Sequence, residues 1–256
     1  TTSSDPIFLI GAVSVGFFHS PELAGILAAA HYGSAAIVGF LMRFHGKPAK
    51  GNDALKEPQP IHKVAKDGRT GIWRRAFISM HEARMADGRP LGVMLMQAVS
   101  SGLSMSFVIG GLVVFFSVLM EVMSSAGVMA VFHSAIRSVL EVFGMPGVLS
   151  EAVANGFFEV TLGAKAAGGA EGIPLMFKVA IAAWGLSWGG LSVHAQIVSV
   201  LHKTPLRYIP FLTARLVHGV LAAILVLLLW QPMQGAAGTT ALAIPLLASV
   251  DPTELD

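Results

Sequence analysis

Cysteine is absent from the 256 residues, which excludes disulfides, thiolate metal sites and cysteine nucleophiles. Charge is scarce as well: 12% of the residues are Asp, Glu, Lys or Arg, against 54% apolar. Soluble domains carry about 25% charged residues, so this is not the composition of a water-soluble globule. The signatures of common enzymes are missing. His81-Glu82 lacks the second histidine that a zinc metalloprotease helix requires, because Met85 stands in its place. No glycine-rich loop ends in Lys-Ser/Thr to cradle phosphates, and no serine sits in a nucleophile elbow. The expectation is a protein that is not an enzyme, holds no metal and encodes no ATP-driven step. A signal peptide is not visible either, because no basic segment precedes an apolar run. The chain opens without Met on Thr1-Thr2-Ser3-Ser4-Asp5-Pro6 and turns apolar at once. That start resembles the middle of a membrane domain and suggests that a first part lies upstream.

The few charges are unevenly placed. Of the 17 Lys and Arg residues, 11 fall between Arg43 and Arg89, and the 31 residues from Pro90 to Met120 contain no charged side chain. At about 1.5 Å rise per residue, that stretch exceeds the roughly 30 Å hydrocarbon core of a bilayer. Basic loops stay on the cytoplasmic side, so one loop predicts a multi-pass membrane protein and its orientation. The net charge of +2, with the basicity confined to that loop, gives no nucleic-acid footprint.

The fold class expected is an all-α polytopic membrane protein with broken helices. Residues 1–44 hold an apolar half-helix, Ile7 to Phe18, and a span opened by Ser20-Pro21-Glu22, an N-cap, a first-turn proline and an acidic residue. Residues 45–89 form the basic loop, where Ile72 to Met85 places Trp73, Phe77 and Met80 on one helical face. Either an amphipathic helix on the membrane surface or a solvated loop fits. Residues 90–231 hold a long span to Met123, a surface helix from Val128 to Phe143 with Arg137 and Glu141, interrupted segments from Leu149 to Trp188, and a last span from Pro205 to about Trp230. Residues 232–256 are a tail. The interruptions are Glu159 to Lys165 and Gly185 to Gly190. Irregular backbone of this kind is tolerated in a membrane only where it faces protein or a wet cavity.

A repeat connects the two ends. Ser3 to Pro6 leads into a half-helix containing Val13-Ser14-Val15, then Ser20-Pro21 and a span. Ser187 to Gly190 leads into a half-helix containing Val198-Ser199-Val200, then Thr204-Pro205 and a span. The first span ends at basic residues and the second begins at His202-Lys203-Thr204-Pro205-Leu206-Arg207, so the repeat is inverted across the membrane. Inverted repeats with broken helices mark secondary transporters, whose sites lie where the breaks meet.

Five stretches carry a family resemblance: Thr2 to Phe8, Gly11 to His19, Asn155 to Lys165, Gly189 to Gln196 and Ala214 to Gly219. Together they resemble the YlbJ family of sporulation integral membrane proteins, of the nucleoside-recognition gate group. The resemblance implies an architecture like that of concentrative nucleoside transporters and ferrous-iron transporter gates, further N-terminal helices, and a role in endospore formation. With the broken helices and the inverted repeat, the expected function is transport of a small polar or amphiphilic solute by alternating access. A membrane scaffold for spore-envelope (cortex) assembly and a transporter of lipid or lipid-linked precursor are the alternatives.

The candidate site residues are Ser3, Ser4, Asp5, Glu159, Thr161, Lys165, Ser187, Ser192, His194 and Gln196. A carboxylate near the bilayer centre costs roughly 2.5–3.5 kcal/mol on insertion scales, so Glu159 is expected to bind a polar group or a proton, or else to pair with Lys165 or cap a half-helix. Asp5, with Ser3 and Ser4, stands either at a substrate site or at an ordinary N-cap. His194 and Gln196 follow the Gly189-Gly190 break, with Ser187 and Ser192 beside them. Arg215 and His218 are expected to snorkel to an interface. No cofactor is implied, while a coupling ion (Na+ or H+) is open. The partners expected are bilayer lipid in the plasma membrane of a spore-forming bacterium and a small-molecule or lipid substrate, with a homo-oligomer also open.

Overall fold

The computed structural model describes residues 3–44, 72–201 and 208–248. Most of the basic loop, the basic turn at 202–207 with Thr204-Pro205, and the end of the tail lie outside the described residues. The chain is an all-α polytopic membrane protein. Among the described residues, four helical stretches are long and apolar enough to cross a membrane: Leu23–Met42, Leu91–Ser125, Leu175–Val198 and Tyr208–Met233.

The chain divides into two units, residues 1–45 with 111–256, and residues 46–110. The second holds α2 (Ile72–Asp87) and the first part of α3 (Leu91–Ser125). The turn between these helices is clasped by Arg89, whose guanidinium bonds both Asp87 carboxylate oxygens and Gln97 Oε1, while Arg84 Nη2 donates to Arg89 O at 3.0 Å. The Arg89 hydrogen bonds hold the Asp87 carboxyl below its ordinary range. Trp73, Phe77 and Met80 are all exposed, as an apolar stripe awaiting a membrane surface would be. Along α3, Leu95, Met96 and Phe107 are likewise exposed. Apolar surface on that scale belongs in lipid.

The first unit opens with a short π-helix, Phe8–Phe17, which Asp5 caps: Asp5 Oδ1 accepts from Phe8 N at 2.8 Å ahead of Pro6 in the first turn. The chain then turns at His19, in the left-handed region with φ 53°, into α1 (Leu23–Met42). Helix α4 (Val128–Val142) leads through a 3-10 turn, Gly147–Leu149, to two half-helices, α5 (Ser150–Phe158) and α6 (Val160–Gly169). A second broken pair follows, α7 (Leu175–Trp188) and α8 (Gly190–Leu201), and then α9 (Tyr208–Ala248). Helix α9 runs past the expected end of the last span, through Pro232 and on to Ala248.

The breaks are narrower than the sequence suggested. Glu159 alone, extended at φ −145° and ψ 123°, separates α5 from α6, so Thr161 and Lys165 are helical rather than part of the interruption. Gly185 is inside α7, and the second interruption is Gly189 and Gly190, with φ of +89° and +72°. Two consecutive left-handed residues are accessible to glycine at little cost and to other residues only under strain.

Small residues let the elements approach closely. A Cβ on Gly163 would overlap the backbone of Gly156, which sets the α5–α6 crossing. A Cβ on Gly25 would lie 3.6 Å from Met233, and one on Gly33 3.7 Å from Leu225, so α1 and α9 pack antiparallel. The core between α1, α5, α6, α7, α9 and the π-helix includes Leu9, Val13, Leu27, Leu149, Leu186 and Val226. A second cluster (Phe116, Met120, Met129, Ala154 and Phe158) ties the end of α3 to α4 and α5.

Candidate functional site

The polar groups buried in this apolar core gather where the broken segments meet. At the centre is His31, on the middle of α1 and fully buried. Ser4 N donates to His31 Nε2 at 3.0 Å, and His31 Nδ1 is 2.8 Å from Ser187 Oγ. A peptide N–H can only donate, so Nε2 carries the lone pair and the neutral ring's single proton lies on Nδ1, donated to Ser187. Ser4 is held twice more: Tyr32 Oη donates to Ser4 O at 2.9 Å, and Ser4 Oγ donates to Leu186 O at 3.3 Å. The segment before the π-helix and the end of α7 are thereby joined both through the His31 imidazole and directly.

Helix α9 closes the cluster from another side. His218 Nε2 donates to His31 O at 3.0 Å, and the two rings lie 5.0 Å apart. Arg215 Nε donates to Trp188 O at 3.1 Å, at the C-terminus of α7. Arg215 and His218 are 4% and 2% exposed, so they do not snorkel. A carbonyl at the broken end of α7 and one on α1 hold them inside the protein. The Arg215 guanidinium also lies against Gly189, where a side chain would collide with it.

Glu159 is buried at 2% exposure and caps α6, its Oε2 accepting from Leu162 N at 2.8 Å. The two helix breaks touch here: a Cβ on Gly190 would come within 2.9 Å of Phe158 O and 3.1 Å of Glu159 N. Trp188 strengthens the junction, with Nε1 donating to Phe157 O at 3.1 Å and its ring stacked 5.7 Å from Phe157.

The predicted residues divide accordingly. Ser4, Glu159, Ser187 and His194 belong to one connected region. His194 is buried on α8, its Nδ1 2.6 Å from Tyr208 Oη and its ring 4.2 Å from Trp188. Ser192 is buried on the same helix, and Gln196 and Thr161 are half-buried. Ser3 and Asp5 are exposed, and Asp5 acts as an N-cap. Lys165 is exposed and does not pair with Glu159. It instead lines a separate cavity of about 410 Å³ on the α5–α6 hairpin, with Glu151, Asn155 and Leu162. Among the described residues no group of three or more His, Cys, Asp or Glu is placed to hold a metal ion.

Sequence reasoning missed His31, although the signal was present: an imidazole in the middle of a 20-residue apolar helix is costly unless it has partners.

No family model matches the chain, and no solved structure matches it. Among curated proteins, the sporulation integral membrane protein YlbJ of Bacillus subtilis (strain 168) is 36% identical over 236 residues, which is 92% of this chain and 55% of that relative. The chain thus spans about half the length of the curated relative it matches. Identity at this level over nearly its whole length assigns the chain to the YlbJ family of sporulation integral membrane proteins.

Proposed function

We propose that this protein moves a small polar or amphiphilic solute across the membrane by alternating access, and that this movement serves endospore formation. The observation that carries the reading is the meeting of the N-terminal segment and the broken end of α7 at one side chain: His31 bonds Ser4 ahead of the π-helix and Ser187 at the end of α7. The helices that follow the two half-helices, α1 and α9, pack antiparallel around that junction. Transporters built from inverted repeats place their sites at such meetings of broken helices. In this reading the basic loop at 45–89 faces the cytoplasm, and the protein works without enzymatic chemistry. Glu159 and Ser187 meet the solute's polar groups, with His194 and Ser192 on the adjoining half-helix.

The test is complementation of sporulation in Bacillus subtilis lacking YlbJ by the protein and by Glu159→Gln, with membrane levels measured by blotting. Gln keeps an oxygen to accept from Leu162 N, so the cap survives while the charge goes. A Glu159→Gln protein present at normal level that fails to restore heat-resistant spores supports a working site. Normal spore numbers would remove Glu159 from it and favour the scaffold reading.

A further inference from the structure

We propose that His31 is the proton-binding site of this protein, and that its protonation breaks its own contact with the Ser4 segment. The proposal rests on the alternating-access reading and names the coupling ion for it.

The argument is one of donor and acceptor count. His31 Nε2 has a single function in the structure, accepting from the peptide N–H of Ser4 at 3.0 Å. His31 Nδ1 is satisfied by Ser187 Oγ at 2.8 Å. A proton arriving at Nε2 leaves the Nδ1 contact intact, because a serine hydroxyl accepts as readily as it donates. It cannot leave the Nε2 contact intact. Nε2–H and the Ser4 N–H would then point at each other, two donors with no acceptor between them, in a place where water does not reach the ring. An unmade hydrogen bond at a buried charged group is among the costliest losses a structure can carry. The Ser4 peptide must therefore turn, against its bonds to Tyr32 Oη and Leu186 O, until an acceptor faces Nε2. His31 thus distinguishes two arrangements of the break, one for each protonation state.

The surroundings favour this role for His31 over its neighbours. From α9, His218 and Arg215 face the ring, and His218 spends its Nε2 proton on the carbonyl of His31. From α1 itself, Tyr32 packs edge-on at 5.1 Å, and its hydroxyl holds Ser4 O. From α7 the facing group is Ser187, and from the N-terminal segment Ser4. Among these groups only His31 uses a nitrogen lone pair to join two segments that are distant in sequence. Of the other facing side chains, Ser187 accepts the Nδ1 proton while Tyr32, Arg215 and His218 donate to carbonyls, and a proton on His218 would leave its bond to the carbonyl standing.

The experiment measures geometry rather than transport, so its failure is distinct from failure of the transport reading. The chain has no cysteine, so spin labels attach only where cysteines are introduced. Ile10 on the π-helix and Val198 on α8 are both 44% exposed and take labels as Ile10→Cys and Val198→Cys. Pulsed electron resonance of the labelled full chain in lipid bilayers gives the distance distribution at pH about 8 and about 3, the acid value set this low because the ring is fully buried with the Arg215 guanidinium facing it. The expected result is a second distance population at acid pH. In His31→Gln, whose amide oxygen accepts from Ser4 N–H but takes no proton, the alkaline distribution is expected at both values. His218→Gln keeps the acid population. One distribution at both pH values in the parent would overturn the proposal. So would an acid population that persists in His31→Gln or vanishes in His218→Gln. A His31→Gln protein that shows the alkaline distribution is folded by the same measurement, and the parent's own response tests the idea without any variant. If the acid shift is found as expected but Glu159→Gln still complements sporulation, the proton site stands while the assignment of Glu159 to the transport site fails.

Discussion

A methyl group at Gly163 tests the packing on which the broken hairpin depends. Its Cβ would overlap the Cα and N of Gly156 and approach Ala152 O at 3.1 Å. Ordinary carbon contacts lie at roughly 3.5–4.0 Å, so α5 and α6 would have to separate by more than about 1 Å. The atoms in the way are backbone, and no rotamer change can relieve them. Overpacking of a tight contact costs about 1–3 kcal/mol, and a backbone-to-backbone collision belongs at the upper end, near 3 kcal/mol. Gly185→Ala is the matched comparison, in the last turn of α7, where an added Cβ meets nothing within 4 Å. There the change exchanges glycine for the best helix former and should be neutral or stabilising by up to about 1 kcal/mol. The assay is reversible unfolding in mixed micelles as the fraction of denaturing detergent rises, followed by tryptophan emission. Trp184 and Trp188 both lie at the junction of α5 and α7. Equal midpoints for Gly163→Ala and Gly185→Ala would refute the close crossing.

Further outcomes follow from individual contacts. Glu159→Ala loses the cap on Leu162 N and should cost about 1 kcal/mol in the same unfolding assay, whereas Glu159→Gln should lie within a few tenths of the parent; equal losses would mean that the charge, not the cap, stabilises α6. Trp188→Phe keeps the stacking on Phe157 but removes the Nε1 bond to its carbonyl, worth about 1 kcal/mol, and an unchanged midpoint would contradict that bond. Gly190→Ala forces a side chain into a left-handed position 2.9 Å from Phe158 O. It should displace α8 from α5 and be read as loss of the monodisperse peak in size-exclusion chromatography or as lowered expression. Trp73 on α2 is exposed in the protein alone, and its emission as the single remaining tryptophan should be quenched by brominated lipid at shallow depth. Quenching by aqueous iodide alone would place α2 in solvent.

The helices were legible because each rests on a local signal. The charge-free run of α3, the Ser-Pro-Glu opening of α1 and the amphipathic α4 need no tertiary information. The breaks were legible as regions but not in extent. Glycine, serine and glutamate near one another indicate an interruption, yet only the packing of Gly190 on Phe158 and Glu159 shows that a single residue breaks α5–α6 and a glycine pair breaks α7–α8. Of the candidate side chains, those beside a break (Ser4, Glu159, Ser187 and His194) come together in space. Lys165, six positions from Glu159, faces a different cavity, because a residue that continues a helix is carried around its axis. Arg215 and His218 were misplaced for a related reason: snorkelling is the default for a basic residue near a span's end, and the carbonyls that hold them inside, on Trp188 and His31, come from distant segments. His31 had a signal in sequence, an ionisable residue in mid-span, and it was overlooked.

The central claim is that the junction of the broken helices opens alternately to the two sides of the membrane, and Ser187 is its most enclosed reporter. It is 0% exposed in a chain free of cysteine, so Ser187→Cys gives a single thiol at the junction. The measurement is its labelling by a membrane-impermeant thiol reagent applied to right-side-out and to inside-out vesicles, with His31 intact. The account predicts slow labelling from each side in turn, with conditions that favour one side protecting against the other. A thiol that stays unreactive from both sides, in protein that remains folded and in the membrane, would make the junction a static core and contradict the account.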